Sequence, residues 1–524
     1  MTRGSARRFA FPGCVVAAIG TLISLAPAPC RAATPPASFA AAYFNSGAVG
    51  TESAVVADVN LDGNPDLIVA IQNQSFGGGR NGLAAVLLGN GDGTFGAPVS
   101  YDSAGGAPFS LAVADLNGDG APDIVVDNFC VWVDGACSFT TVGVLINHGD
   151  GTFAPAVPWN LGGSSSQSIA IADVNGDGKP DLLASVAVAF NGGVAILLGN
   201  GDGTFQAPIH LLLGPVDIRS VALADINRDG RLDIVAAAGD NSISPSRGTV
   251  TILLGNGDGT FRPPLATYDS GVSPGGWANS IAVADLNDDG APDLAVANYP
   301  DNRTGVFLGR GDGSFEPVVL YDSGAPFAWS DAIADVNGDS KPDLIVADFA
   351  GVVGVLAGNG DGTFQAPQTY TVAGDAASMA AADVNHDGRP DLIVANGNEF
   401  VAVLLNDTCA DFPPAITLSA APSILWPPNG KMVPVTLSGT ITVAPCATKP
   451  AILNYSVLDE YNLVQPAGSI VPDADGGFLF SVQLQASRRE DDRNGRHYTI
   501  TVTAPSDTGR GASAVSVVTV PHNR

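Results

Sequence analysis

The sequence predicts an all-β chain, a seven-bladed β-propeller closed by an N-terminal strand and followed by a small β-sandwich, on three observations. One acidic nine-residue motif recurs seven times, at intervals of 48 to 60 residues. Short apolar runs flank every copy, and a Gly-Asp-Gly hairpin signature follows six of them. The seventh copy stops before its hairpin, and a segment resembling the missing strand stands near the start of the chain. Repeats of this length suit one four-stranded blade each.

The 524 residues exceed what one hydrophobic core ordinarily organises. The chain is 45% hydrophobic and 14% charged, and its 64 Gly and 37 Pro make it rich in turns without the composition of a disordered chain. Acids outnumber bases 52 to 23, for a net charge of −29. That balance disfavours nucleic acid or an anionic membrane surface as partner.

Residues 1–33 read as a cleavable secretory signal, with Arg3, Arg7 and Arg8, an apolar run from Cys14 to Ala26, then small residues and prolines up to Ala33. No later segment is long and apolar enough to span a bilayer, so a secreted or cell-surface protein without membrane insertion is expected. Four cysteines follow the signal in two local pairs, Cys130 with Cys137 and Cys409 with Cys446. In an oxidising compartment, with no CxxC or histidine cluster nearby, this pairing favours disulfides over metal ligation.

The motif is D-x-N-x-D-[GS]-x-x-D. Its copies are Asp58, Asn60, Asp62 and Asp66; Asp115, Asn117, Asp119 and Asp123; Asp173, Asn175, Asp177 and Asp181; and Asp225, Asn227, Asp229 and Asp233. They continue with Asp285, Asn287, Asp289 and Asp293; Asp335, Asn337, Asp339 and Asp343; and Asp383, Asn385, Asp387 and Asp391. Side-chain oxygens at positions 1, 3 and 5 converge when the backbone curls, position 7 offers a carbonyl, and an acid at position 9 can bind through two oxygens. Hard oxygen donors in this number suit Ca²⁺, up to seven ions, better than Mg²⁺. The last acid falls at 9 where an EF-hand has it at 12, and the flanks read as strands such as Ser280-Ile-Ala-Val-Ala, so an EF-hand is excluded. Asp, Asn and Gly also make good turns, but clustered like charges repel unless a cation lies between them. Ser340 stands where the other copies have Gly, at a position expected to need positive φ, and its site is expected to be weaker.

The hairpins run from Leu88-Gly-Asn-Gly-Asp92-Gly-Thr-Phe95 through equivalents ending at Phe153, Phe205, Phe261, Phe315 and Phe364. Their acids read as turn residues. Arg310-Gly311-Asp312 matches a known adhesive tripeptide, yet it is one substitution within this repeated turn. Ser38-Phe39 to Gly47 parallels Thr260-Phe261 to Gly271, so the N-terminal strand is expected to complete the seventh repeat and remove an open sheet edge.

These loops, from residue 38 to about 406, resemble the FG-GAP or VCBS-type calcium-binding repeats of integrin α-chain heads and of many secreted bacterial proteins. The resemblance implies extracellular adhesion or recognition. Alternating strands place calcium loops and hairpin turns on one face, with the irregular loops and connections on the other. A ligand face is expected there, with Arg80, Trp132, Arg247, Trp277, Arg303 and Trp329 as its candidates, because aromatic planes and guanidinium forks serve recognition. The same Trp side chains could instead plug the central channel or fill gaps between blades.

From about Phe412 the motif ends, and alternating runs to Arg524 suggest a sandwich that resembles immunoglobulin-like modules. The expected domains are thus a signal at 1–33, a propeller at 34–410 and the sandwich at 411–524. The five histidines are isolated, and no G-x-S-x-G, HExxH or phosphate loop occurs, so no catalytic residue is assigned. The leading reading is a monomeric, calcium-stabilised propeller that binds an extracellular protein or glycan. Its alternatives are a polysaccharide-active lyase or hydrolase drawing on acids such as Asp127, Asp240 and Asp348 of the same face, and a structural matrix protein.

Overall fold

The computed structural model describes residues 37–73, 82–133, 136–240, 242, 245–324, 326–408, 415–442, 452–459, 466–473, 476–487, 495–504 and 512–521, apart from the side chains of 130–138, 442 and 512. The expected signal, Arg80, Cys409 and Cys446 lie outside the described residues, as do the side chains of Cys130, Trp132 and Cys137. The fold is all-β, with no helix among the described residues and hence none long and apolar enough to cross a membrane.

From Phe39 to Asn406 the strands form repeated four-stranded antiparallel sheets that resemble a propeller. The first sheet runs Thr51–Ala57, Asp66–Ile71, Leu83–Leu87 and Val99–Asp102, and five more follow the same order. In the last, Ser378–Ala382, Asp391–Ala395 and Phe400–Asn406 take Phe39–Asn45 as fourth strand, with Phe39 opposite Asn406 and Asn45 opposite Phe400. The second strand of every sheet starts at position 9 of the acidic loop. Second and third strands are mostly apolar and buried, as in Leu67–Ile71, because neighbouring sheets cover both their faces.

Each hydrophobic cluster of this region draws on two consecutive sheets. One joins Ile68 and Val86 of the first sheet to Ile124 and Val126 of the second, and another joins Leu67, Val69 and Leu87 of the first to Ile393, Val401 and Val403 of the last. Aromatic pairs mark the outer edges of these seams. The hairpin Phe packs edge-on against the fourth-strand aromatic of the preceding sheet: Phe153 on Tyr101, Phe205 on Trp159, Phe315 on Tyr268 and Phe364 on Tyr321. Phe39 takes the same role against Tyr370 at 5.1 Å, and Phe44 meets Phe95 at 5.1 Å. A segment far from the hairpins in sequence therefore supplies the aromatic that the last repeat lacks.

Beyond residue 415, two further four-stranded sheets share one core, with Val435, Leu437 and Leu484 from one and Val457, Ile500 and Val518 from the other. Within it Arg496 pairs with Asp459 at 2.8 Å, and its guanidinium lies 4.6 Å from the Tyr498 ring.

Candidate functional site

The seven acidic loops share one hydrogen-bond pattern. Position 1 caps two amides, as Asp58 Oδ1 accepts from Asp62 N at 3.1 Å and Oδ2 from Gly63 N at 2.8 Å. The Asn60 Oδ1 accepts from the same Asp62 amide, so the first and third donors meet at one point. Asp62 in turn accepts from Asn64 N at 2.8 Å, and this holds its carboxyl below the usual range. Such wrapping requires left-handed backbone at positions 4 and 6, seen at Leu61 (φ 59°) and Gly63 (φ 89°). Ser340 adopts it too, at φ 64°, in place of Gly.

Position 9 lies beneath the loop, fully buried. Asp66 Oδ2 accepts from Val59 N at 2.9 Å and Oδ1 from Gly89 N at 2.7 Å, tying loop to hairpin. Asp293 does the same with Leu286 N and Gly309 N, at 2.8 and 2.6 Å. Burial pushes these carboxyls up, to about 6 at Asp293 and Asp391 and about 7 at Asp343, while the amide bonds pull the other way. Among the described residues no three His, Cys, Asp or Glu side chains group as metal ligands. The oxygens that converge on each loop's backbone are those of the position 1 carboxylate and the Asn amide, while the position 9 carboxylate is turned to the amides beneath. In the last loop Arg389 reaches Asp387 at 2.6 Å.

At the opposite end of the inner strands a different ring appears. Five of the seven strands carry a register shift at one place, which extrudes Glu52, Phe109, Arg219, Asn279 and Trp329 from strand pairing. Each stands six residues before its loop's first Asp, and each is followed by a serine. Two serines of this column join neighbouring sheets: Ser168 Oγ accepts from Val221 N at 3.1 Å and Ser280 Oγ from Asp331 N at 3.2 Å. These residues, with Gln167 and Ala377 just before the other two inner strands, line a cavity of about 160 Å³.

Arg219 is fixed by Asp217 at 2.7 Å, by Gln167 Oε1 at 2.9 Å and by the Trp277 ring at 4.5 Å, while its buried Nε has no hydrogen-bond partner. Burial and the nearby Asp375 carboxylate push Glu52 up to about 7. Beside the cavity, Trp277 stacks on Tyr299 at 5.6 Å, Trp329 meets Tyr299 edge-on at 5.3 Å, and Phe349 lies 4.9 Å from Trp329. Gly239 makes room for Trp277, since a Cβ there would meet the indole at 2.1 Å. Phe327 and Phe349 stay about 40% exposed.

Of the expected ligand-face residues, Trp329 lines the cavity and Trp277 stands behind it against Arg219. Arg247 is exposed and paired with Asp269 at 3.4 Å, and Arg303 is exposed at a strand start. The Arg310-Gly311-Asp312 turn is internally bonded: Arg310 holds Glu316 at 2.8 Å, and Asp312 accepts from Ser314 N and Oγ at 2.9 and 2.6 Å.

An FG-GAP-like repeat model matches residues 58–126, 129–184, 186–236, 240–296, 285–346 and 335–394, each match containing at least one acidic loop. The chain belongs to the FG-GAP-like repeat family. Mouse integrin alpha-IIb is 31% identical over 244 residues, 43% of this chain and 22% of the integrin, and human integrin alpha-IIb 35% identical over 159 residues, 27% and 15%. Drosophila melanogaster integrin alpha-PS5 is 32% identical over 111 residues, 20% of this chain and 11% of its own. The FG-GAP chain thus spans about a fifth or less of the length of these curated relatives. Among solved structures, an Agrocybe aegerita lectin described for recognition of non-reducing terminal N-acetylglucosamine aligns at TM-score 0.38 and 24% identity, covering 62% of this chain and 88% of its own. The Pseudomonas aeruginosa periplasmic gluconolactonase PpgL aligns at TM-score 0.46 and 19% identity, covering 64% and 86%.

Within the FG-GAP repeats, two features escape a motif reading. The amide-capping role of position 9 is signalled by the apolar residue always found at position 2. The cavity ring is signalled by alignment of the seven repeats, which puts Ser at one column and a different residue at the column before it.

Proposed function

We propose that residues 34–410 form a closed seven-bladed propeller, stabilised by up to seven Ca²⁺ and secreted or displayed at the cell surface, that binds an extracellular protein or glycan through the face opposite the acidic loops. Residues 411–524 are an appended immunoglobulin-like sandwich. One observation carries the binding assignment: along the inner strands, the end that bears the loops repeats one chemistry seven times, whereas the other end presents a different side chain in every repeat. Uniform elements serve the framework, and variable aromatic and polar side chains on a fixed scaffold serve recognition. The similarity to integrin alpha chains supports a protein partner. The strand pair Phe39–Asn45 with Phe400–Asn406 and the core shared by the first and last sheets support closure.

Calcium would be held by positions 1, 3 and 5, for example Asp285, Asn287 and Asp289, whose oxygens already surround one backbone curl. A bound cation would supply charge compensation to the loop aspartates beyond the basic side chains near Asp289, Asp339 and Asp387. Chelation is expected to lower the melting temperature, and Asp285→Ala to reduce the calcium bound per chain by about one. Melting unaffected by chelator, with no calcium detected by elemental analysis, would reject this part. For the binding face, pull-down and glycan-array signals should fall with Phe349→Ala and persist with Arg262→Ala on a hairpin of the loop face. The reverse pattern would reject the assignment.

A further inference from the structure

The cavity at the variable end of the inner strands has the chemistry of a sugar subsite, and this inference rests on the reading of that end as the binding face. About 160 Å³ is below the roughly 300 Å³ at which pockets for larger ligands begin, and it equals about five liquid waters. One six-membered ring fits and a second does not. The walls carry the two kinds of group that such a ring needs. Gln167, Asn279, Glu52 and the serine hydroxyls offer donors and acceptors in fixed planes. Trp329 and Phe109 offer flat apolar surface for the C–H faces of the ring.

Charge narrows the class further. Arg219 is compensated by Asp217 at 2.7 Å, so it brings little net attraction for an acid. Burial and Asp375 push the Glu52 carboxyl up to about 7, so near neutral pH it is present in both its proton-donating and its ionised form. Neither a uronate nor an ammonium group is favoured by such walls, whereas hydroxyl groups suit both.

The extrusion itself is the independent observation. A register shift re-aims a single side chain, and here five shifts at one level turn five chemically different side chains toward one axis. Packing alone does not require this, since the serines and the clusters between sheets already hold the sheets together.

We infer that this cavity binds the terminal residue of a neutral glycan end-on, one ring deep, with Gln167, Arg219 and Asn279 on its hydroxyls and Trp329 against its face. Only a terminal residue fits, because a volume of about 160 Å³ holds one ring and not a second.

The test uses the full-length chain in calcium, with methyl glycosides of neutral hexoses, 6-deoxyhexoses and a uronic acid as probes, read by ligand-observed NMR and by indole fluorescence. At least one neutral methyl glycoside is expected to bind and the uronate to bind at least tenfold more weakly. Trp329→Phe and Gln167→Ala, each checked for unchanged melting, should weaken that glycoside tenfold or more, while Arg262→Ala on a hairpin of the loop face leaves it within twofold. Oligosaccharides carrying the same residue only internally should not compete. Failure of every neutral glycoside, preference for the uronate, or binding unchanged in both cavity variants overturns the inference. If a macromolecular partner is still lost with Phe349→Ala in that case, the binding-face reading stands and the subsite alone falls.

Discussion

The backbone amide of Gly93 donates to the carbonyl of Val384, 3.2 Å away, and so joins the first hairpin to the last acidic loop. The same bond recurs between adjacent repeats, from Gly203 to Leu116, Gly259 to Val174 and Gly362 to Leu286. Where the hairpin equivalents begin with Asn, the side chain makes the connection: Asn147 Nδ2 reaches Val59 O at 2.8 Å, and Asn406 Nδ2 reaches Val336 O at 2.8 Å. Six of the repeats therefore lean on the loop of the one before, including the first upon the last.

Asn406 is the most exacting of these ties. It is 1% exposed, donates to Val336 O and Pro390 O, and accepts from Thr408 N at 3.0 Å. Asn406→Ala leaves buried carbonyls without donors and is expected to cost about 2–4 kcal/mol in denaturant unfolding. Asn359→Ala, which removes an exposed bond to Thr363, should cost under about 0.5 kcal/mol.

Positions 1 and 9 of one loop should respond differently to calcium. Asp293 satisfies two buried amides whether or not a cation is present, so Asp293→Ala should destabilise by about 2–4 kcal/mol both with calcium and with chelator. Asp285 caps amides that are exposed to water, so most of the cost of Asp285→Ala should vanish in chelator. Paired melting curves of the two variants, with and without chelator, provide the check. Equal chelator dependence would assign both acids the same role.

Ser340 holds a left-handed conformation at φ 64°, and its amide donates to Asp335 Oδ2 at 2.7 Å. Ser340→Gly keeps that bond and relieves the backbone, so a gain of about 1 kcal/mol is expected. A loss on substitution, measured by the same unfolding assay, would show that the hydroxyl outweighs the strain.

Asp331 gives the chain a pH-dependent cost. It is buried between two sheets with Thr304 Oγ1 on one oxygen and no partner on the other, and burial pushes its carboxyl up to about 8. The folded chain thus retains a proton that the unfolded chain releases near the ordinary value of 3.8. Stability from this group is full below about pH 4 and is lost as pH rises through 8. Asp331→Asn should therefore melt higher than the parent at pH 8, by about 1–3 kcal/mol in stability, with the difference shrinking toward pH 4. A pH-independent difference would remove the titration argument.

The loops were legible because Asp, Asn and Gly at fixed spacing can satisfy one another's amides in few ways, and seven copies leave little to chance. The N-terminal strand was legible as well, since Phe39 is the aromatic that the last repeat lacks. Spacing could not show which way Asp66 and its equivalents face, because a carboxylate suits amide donors and cations alike. The cavity ring was less legible still. Strand alternation predicts facing from parity, and a register shift breaks parity at the residue where it occurs. Trp277 and Trp329 look equivalent on that basis, yet the shift at Asn279 leaves Trp277 behind the cavity wall, while Trp329 is itself extruded into it.

The separation of an unvarying serine from the variable residue beside it has a bearing on how such a chain can change. Hydroxyls that join neighbouring sheets, at Ser168 and Ser280, are distinct from the variable side chains lining the cavity, so the latter can be exchanged with small effect on folding, Gln167 and Arg219 together because they bond each other. Repeats of a single architectural unit then behave as writable letters lining one cavity, two of them coupled. New selectivity could accumulate by drift at those letters alone, without disturbing the grammar of loops and seams that keeps the molecule folded.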